Sequence, residues 1–113
     1  MKEPEAITPF CPRYHRAMEI LGGRWTNEIV RALLGGTARF SEFTATIPGL
    51  SDRLLSERLR SLEAEGIVTR TVVPDKPVRI EYQLTDKGRD LAAVVQALAQ
   101  WAQTWVEPAE APR

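Results

Sequence analysis

Apolar residues recur along this chain with two different periods, and the change of period divides it. Ala17, Ile20 and Leu21 share one face of a short first helix that is expected to start at Cys11-Pro12, because a first helical residue has no need of the N–H that proline lacks. Gly22-Gly23 stops it with a residue that tolerates the left-handed conformation. Gly35-Gly36 ends a second helix, residues 25–34, in the same way, with Trp25, Ile29, Val30, Leu33 and Leu34 turned inward. A brief third helix is capped by Ser41, carries Phe43 and Ile47 with Phe40 as a hydrophobic staple, and closes at Pro48-Gly49. Ser51 caps a fourth, residues 52–65, in which Leu55, Leu59 and Leu62 form the apolar stripe. Arg53, Glu57, Arg60 and Ala64 fall on its opposite face, flanked by Ser56 and Ser61.

After Gly66 the period becomes two. Ile67 to Val73 is rich in β-branched residues, Pro74-Asp75-Lys76-Pro77 is a turn-prone tip, and Val78, Ile80, Tyr82 and Leu84 alternate with polar neighbours, which together predict a two-stranded hairpin. Thr85 then caps a final helix striped by Leu91, Val94, Val95, Leu98, Trp101, Ala102 and Trp105, and Pro108 marks its end. Residues 1–10 lack periodicity and read as an arm, residues 11–107 as one folded domain, and residues 108–113 as a tail.

Composition narrows the function classes. A chain of 113 residues has room for one core. Fifteen Lys and Arg balance fifteen Asp and Glu, so nucleic-acid binding has to come from local segregation of charge, not from a cationic coat. One cysteine and one histidine argue against a disulfide framework, a zinc site or a histidine-ligated metal, and no cofactor is expected. The N-terminus has no secretory pattern and no window approaches a membrane span, so the default is a cytoplasmic protein that does not engage membranes. The glycine pairs follow helices and belong to no phosphate-binding fingerprint, and His15 lacks the partners of a nucleophilic triad, which argues against catalysis.

The expected fold class is α+β, mainly α: two helices joined by a tight turn and followed by a hairpin are the order of a winged helix-turn-helix, ending here in a long C-terminal helix. A helix about 10–12 Å across fits a major groove about 12 Å wide, and a hairpin tip reaches the neighbouring backbone or minor groove. The ordered runs Cys11-Pro12, Leu21-Gly22-Gly23-Arg24-Trp25, Arg39-Phe40-Ser41-Glu42, Ile47-Pro48-Gly49-Leu50-Ser51, Arg58-Leu59-Arg60-Ser61-Leu62-Glu63, Glu65-Gly66-Ile67-Val68-Thr69-Arg70 and Arg79-Ile80-Glu81-Tyr82-Gln83-Leu84-Thr85 resemble the HxlR-type transcriptional regulators, which are related in architecture to the MarR group. The resemblance spans Cys11 to Trp105 and implies a homodimer on operator DNA, joined mainly through its N- and C-terminal helices.

On that basis Arg53, Ser56, Glu57 and Arg60 are candidates for base or near-base contacts, with Ser51 at the head of the same helix. Arg39, Ser41 and Thr44 are candidates for phosphate contacts, helped by a positive helix end, and Lys76 and Arg79 for the wing. Arg58, nearer the core edge, suits a structural or phosphate-directed role. The 52–65 segment is not net basic, with three arginines against four carboxylates, so a solvated helix face or a winged-helix module that binds protein stays open beside the DNA reading. Leu91, Val95, Leu98, Trp101 and Trp105 present more apolar surface than one small module readily buries, so they are candidates for the dimer interface; the alternative is that the tryptophans fold back on the first two helices. A twofold dimer would favour an inverted-repeat operator.

Cys11, as an N-cap near Arg13 and Arg16, is a candidate redox or electrophile sensor, since a positive helix end favours the reactive thiolate. An inert cysteine packed at the base of a dimer is the equal alternative. A small-molecule effector held among Tyr14, Trp25, Trp101 and Trp105 is the competing route of control, against the plainer reading of these aromatics as core.

Overall fold

The computed structural model describes residues 7–108; residues 1–6 and 109–113, which make up most of the expected arm and tail, lie outside the described residues. Helix α1 spans Pro12–Leu21, with Cys11 at its N-cap in an extended conformation and proline at its first position. Its end differs from expectation. Gly22 sits at φ −83°, so no left-handed residue stops α1; a Cβ on Gly22 would instead collide with the Met18 carbonyl oxygen. The left-handed residue at this corner is Trp25, φ +73°, at the N-cap of α2 (Thr26–Leu34), where the side-chain amide of Asn27 donates to the Leu21 carbonyl at 2.9 Å.

Helix α3 spans Phe40–Thr46, and its cap is not Ser41, which lies inside the first turn. Arg39 is the N-cap residue, and the Glu42 carboxylate, at the third helical position, reaches back to accept from the backbone N–H of Arg39 at 2.7 Å and of Ala38 at 3.3 Å. Helix α4 spans Asp52–Ala64; the Ser51 hydroxyl accepts from the Leu54 N–H at 3.1 Å, and Gly66 at φ +74° turns the chain out of the helix.

Strands β1 (Val68–Val73) and β2 (Arg79–Leu84) pair antiparallel, Val68 opposite Leu84 and Val73 opposite Arg79. A further contact has no periodic signal in the sequence: Arg39 bridges Glu81, and the Tyr82 N–H donates to the Ala38 carbonyl at 2.8 Å, so the residues leading into α3 lie along β2. This backbone pairing fixes the hairpin against the helix-turn-helix.

The helix expected after Thr85 is divided. Thr85 caps only α5 (Asp86–Arg89), and α6 (Ala92–Trp105) follows a break at Asp90 and Leu91. The break lies beside a close approach: Gly88 packs so tightly on Ile67 that a Cβ there would overlap the Ile67 carbonyl oxygen. The Thr85 hydroxyl meanwhile donates to the Gly66 carbonyl at 2.6 Å.

The core is a single cluster of Trp25, Ile29, Val30 and Leu33 of the α2 region, Phe43, Ile47 and Leu50 around α3, Leu55, Leu59 and Leu62 of α4, and Ile67, Val68 and Tyr82. Phe43 and Tyr82 meet edge to face with centroids 6.3 Å apart, joining α3 to the wing. Neither α1 nor α6 buries a side chain completely.

Candidate nucleic-acid interface

The three leucines of α4 decide what its other face does. Burying Leu55, Leu59 and Leu62 in the core, against α3 and β1, turns Arg53, Glu57 and Arg60 outward, because at 100° per residue these lie within about 60° of one another on the far side. Arg53 is the freest, its side chain 90% exposed, and its Nε lies 3.5 Å from the Glu57 carboxylate. Arg60 is exposed and Ser56 half-buried at the margin of the same face. Seven residues at 1.5 Å rise set Arg53 and Arg60 about 10 Å apart along the helix, close to three base-pair steps. Arg58 points the other way: its Nε donates to the Arg24 carbonyl at 2.8 Å, tying α4 to the α1–α2 corner.

The turn before α4 is built by Ile47 and Leu50, both buried, with the Leu50 N–H directed at the Ile47 carbonyl at 3.4 Å. It leaves Ser51 exposed at the head of α4. Arg39 and Ser41 are exposed at the start of α3, and Thr44 is half-buried with its hydroxyl donating to the Ser41 carbonyl at 3.2 Å. The helix-end contribution expected here is reduced, since the Arg39 N–H already serves Glu42. Those backbone donors from Arg39 and Ala38 hold the Glu42 carboxyl below the usual carboxylate range.

On the wing, the two expected cations separate. Lys76 stands exposed at the tip. Arg79 donates to the Asp75 carboxylate at 2.5 Å and lies 3.9 Å from Glu81, and its Nε is buried without a hydrogen-bond partner among the described residues. Arg79 is thereby a strut inside the wing, held by carboxylates that the alternating pattern places on its own strand and tip.

The apolar stripe of the C-terminal segment also splits. Leu91 and Val95 are half-buried against the protomer's own core, whereas Leu98, Trp101 and Trp105 are 55%, 58% and 72% exposed. The tryptophans of α6 do not fold back on the first helices. Tyr14 and Met18 of α1 and Phe10 before it are exposed as well. Cys11 is exposed in an open groove of about 680 Å³ whose lining includes Phe10, Tyr14, His15 and Met18, and the Phe10 and His15 rings lie 5.7 Å apart. Arg16 is directed to α4, donating to the Glu65 carboxylate at 2.5 Å.

Residues 20–110 match the model of the HxlR-like helix-turn-helix family. This chain belongs to that family. It is 53% identical over 98 residues to YvaP of Bacillus subtilis (strain 168), an uncharacterized HTH-type transcriptional regulator, covering 87% of this chain and 91% of YvaP. It is 44% identical over 100 residues to the HTH-type transcriptional regulator YodB of the same organism, covering 88% of this chain and 89% of YodB. The reduced form of YodB superposes with a TM-score of 0.75 over 89% of this chain and 99% of that one, and a quinone-bound form with 0.72 at 41% identity over 85% of this chain and all of that one. The redox regulator HypR in its oxidized form superposes with a TM-score of 0.80 at 34% identity, covering 87% of this chain and all of HypR. The fold is thus a winged helix-turn-helix, and the chain is a transcriptional regulator of a non-enzymatic family. Among the described residues no helix is long and apolar enough to cross a membrane.

Proposed function

We propose that this HxlR-family regulator acts in the cytoplasm as a homodimer on inverted-repeat operator DNA and changes its grip when Cys11 reacts with an electrophile or oxidant. The observation that carries the DNA reading is the outward face of α4, where Arg53 and Arg60 stand free of the core on a helix locked by three buried leucines. Arginine can bridge guanine O6 and N7, and Glu57, 3.5 Å from Arg53, can orient it or accept from cytosine N4. Arg39, Ser41, Thr44, Ser51 and Lys76 supply phosphate or sugar contacts around that helix. Arg79 supports Lys76 by ordering the wing through Asp75.

The dimer reading is supported by the exposed apolar side chains Leu98, Trp101 and Trp105 on α6 and Tyr14 and Met18 on α1. Leu91 and Val95 contribute by seating α6 on its own core. A twofold axis through that dimer contact would set two α4 helices about 34 Å apart, one turn of DNA.

The groove around Cys11 is mostly apolar and carries the aromatic rings of Phe10, Tyr14 and His15, a setting that accepts a quinone ring; YodB, similar over most of its length, has a quinone-bound form. The Cys11 sulfur would add to a ring carbon, the thiol proton passing to one quinone oxygen and the hydrogen of the attacked ring carbon to the other, so that the quinone becomes a hydroquinone thioether with no further reactant. Because Cys11 is the sole cysteine, an adduct is complete without a second thiol from the same chain.

The test is binding to a duplex recovered by in vitro selection, measured at several salt concentrations with and without benzoquinone. Steep weakening with salt and release by quinone in the wild type but not in Cys11→Ser are expected. Salt-insensitive or absent binding would move the protein to the interaction-module reading, and a quinone response that persists in Cys11→Ser would move control to a ligand pocket.

A further inference from the structure

Helix α1, which holds Cys11 at its head, is attached to the rest of the protomer mostly along one edge. It buries no side chain completely; Ile20 packs partly on the core, and below it a void of about 140 Å³ opens between Ala17, Ile20 and Leu21 on one side and Ile67, Lys87 and Leu91 on the other. Against this sparse packing, the C-terminal end of α1 is tied to α2 by Asn27, which donates to the Leu21 carbonyl, while two further polar ties of the α1 region and its following corner run to the reading helix. Arg16 donates to the Glu65 carboxylate at the C-cap of α4 at 2.5 Å, while Arg58 of α4 donates back to the Arg24 carbonyl at 2.8 Å. Glu65 is itself held from the opposite side, its carbonyl accepting from the Lys87 ammonium at 2.6 Å, and the neighbouring Gly66 carbonyl accepts from Thr85.

From this we infer that Arg16 and Glu65 are positioning residues that transmit the placement of α1 to α4, so that a group attached at Cys11 reaches the DNA-reading helix through this ion pair. The inference rests on the proposed control through Cys11. An exposed ion pair contributes little to the stability of a well-packed protein. Here the balance differs, because Glu65 is half-buried and α1 has few apolar contacts to hold it by other means. Arg16 stands five residues after Cys11 on the same rigid helix, so a group that lifts or tilts the head of α1 moves Arg16 with it. As α1 and α6 also form the proposed dimer face, this tie helps set where each α4 stands relative to its counterpart. Two coupled placements of one element are what a switch requires.

The experiment uses the full chain and N-ethylmaleimide, which labels one site because there is one thiol. Amide hydrogen exchange is read over residues 60–66, and affinity is read on a duplex recovered by selection on the unlabelled protein. In unlabelled protein, Arg16→Gln and Glu65→Gln should each raise exchange over residues 60–66 at least threefold, and the reversed pair Arg16→Glu with Glu65→Arg should restore it. Unchanged exchange in both single variants overturns the tie. Labelling should weaken DNA binding of the wild type tenfold or more, and that of Arg16→Gln less than threefold relative to its own unlabelled form. Equal losses in wild type and variant overturn the transmission while leaving control through Cys11 intact; no loss in fully labelled wild type refutes both.

Discussion

Replacing Arg53 or Arg60 by alanine separates DNA reading from folding more cleanly than any other change in this protein. Arg53 is almost fully exposed and its ion pair to Glu57 is of the i,i+4 kind that contributes about 0.3–0.5 kcal/mol. Arg60 is exposed on the same face. The thermal midpoint of either variant should therefore stay close to wild type. On DNA, a good arginine–guanine pair is worth about 1–3 kcal/mol, a factor of about 5 to 150 in affinity. In a twofold dimer each substitution is made twice, so the loss reaches about 2–6 kcal/mol if both half-sites use the residue. Base readout and phosphate attraction part at the next step. A base contact is lost mainly on the selected duplex and relaxes the preference at one position. A phosphate contact is lost equally on mixed sequence and lowers the salt slope by about 0.9 for each copy. Fluorescence anisotropy at three salt concentrations, on selected and mixed-sequence duplexes, reads all of these. Affinity within twofold of wild type for both variants, with folding intact, would refute the assignment of this helix face to DNA.

The wing should divide as its geometry does. Lys76→Ala is expected to flatten the salt dependence on any duplex by about two in the dimer, whereas Arg79→Ala, by freeing Asp75, should act mainly through disorder of the tip, seen as faster amide exchange over residues 74–78. Leu98→Asp or the pair Trp101→Ser with Trp105→Ser should yield folded monomers in sedimentation velocity, because these side chains are exposed in the protomer; an unaltered dimer would move the interface elsewhere. Glu42 links folding to acid. Its carboxyl is held low in the folded chain, so the stabilisation it provides is present above its ordinary value of 4.5 and is lost as pH falls through the lower folded value. Glu42→Gln should accordingly cost stability near neutrality and remove that part of the acid dependence; a wild-type and variant difference that does not shrink on acidification contradicts the cap.

Much of this protein follows from neighbours in sequence. The leucine spacing of α4, the serine before it and the glycine after it specify a helix with one buried and one outward face, and that is how the structure presents it. The alternation of Ile80, Tyr82 and Leu84 likewise specifies β2. These features are legible because they depend on contacts a few residues apart, where periodicity is a direct trace of which side meets the core. Where two local devices compete, local reasoning mistakes the choice: the helix starts at Phe40 with Glu42 reaching back to the Arg39 and Ala38 N–H groups instead of with a Ser41 cap, and Trp25 adopts the left-handed conformation expected at Gly22-Gly23.

What tertiary structure alone decided is which polar groups remain free. Arg16 looks as available in sequence as Lys76, yet it meets Glu65, 49 residues away, and Arg79 is held by Asp75 because the hairpin turn brings the tip back beside β2. The stripe from Leu91 to Trp105 reads as continuous, but packing of α6 takes Leu91 and Val95 inward and leaves Leu98, Trp101 and Trp105 outside. The bridge from Arg39 to Glu81, which holds the wing on the helix-turn-helix, joins two short stretches with no shared pattern. Periodicity records the side of an element that faces inward, whereas the partner of a charged side chain depends on distances between elements that only the folded chain brings together.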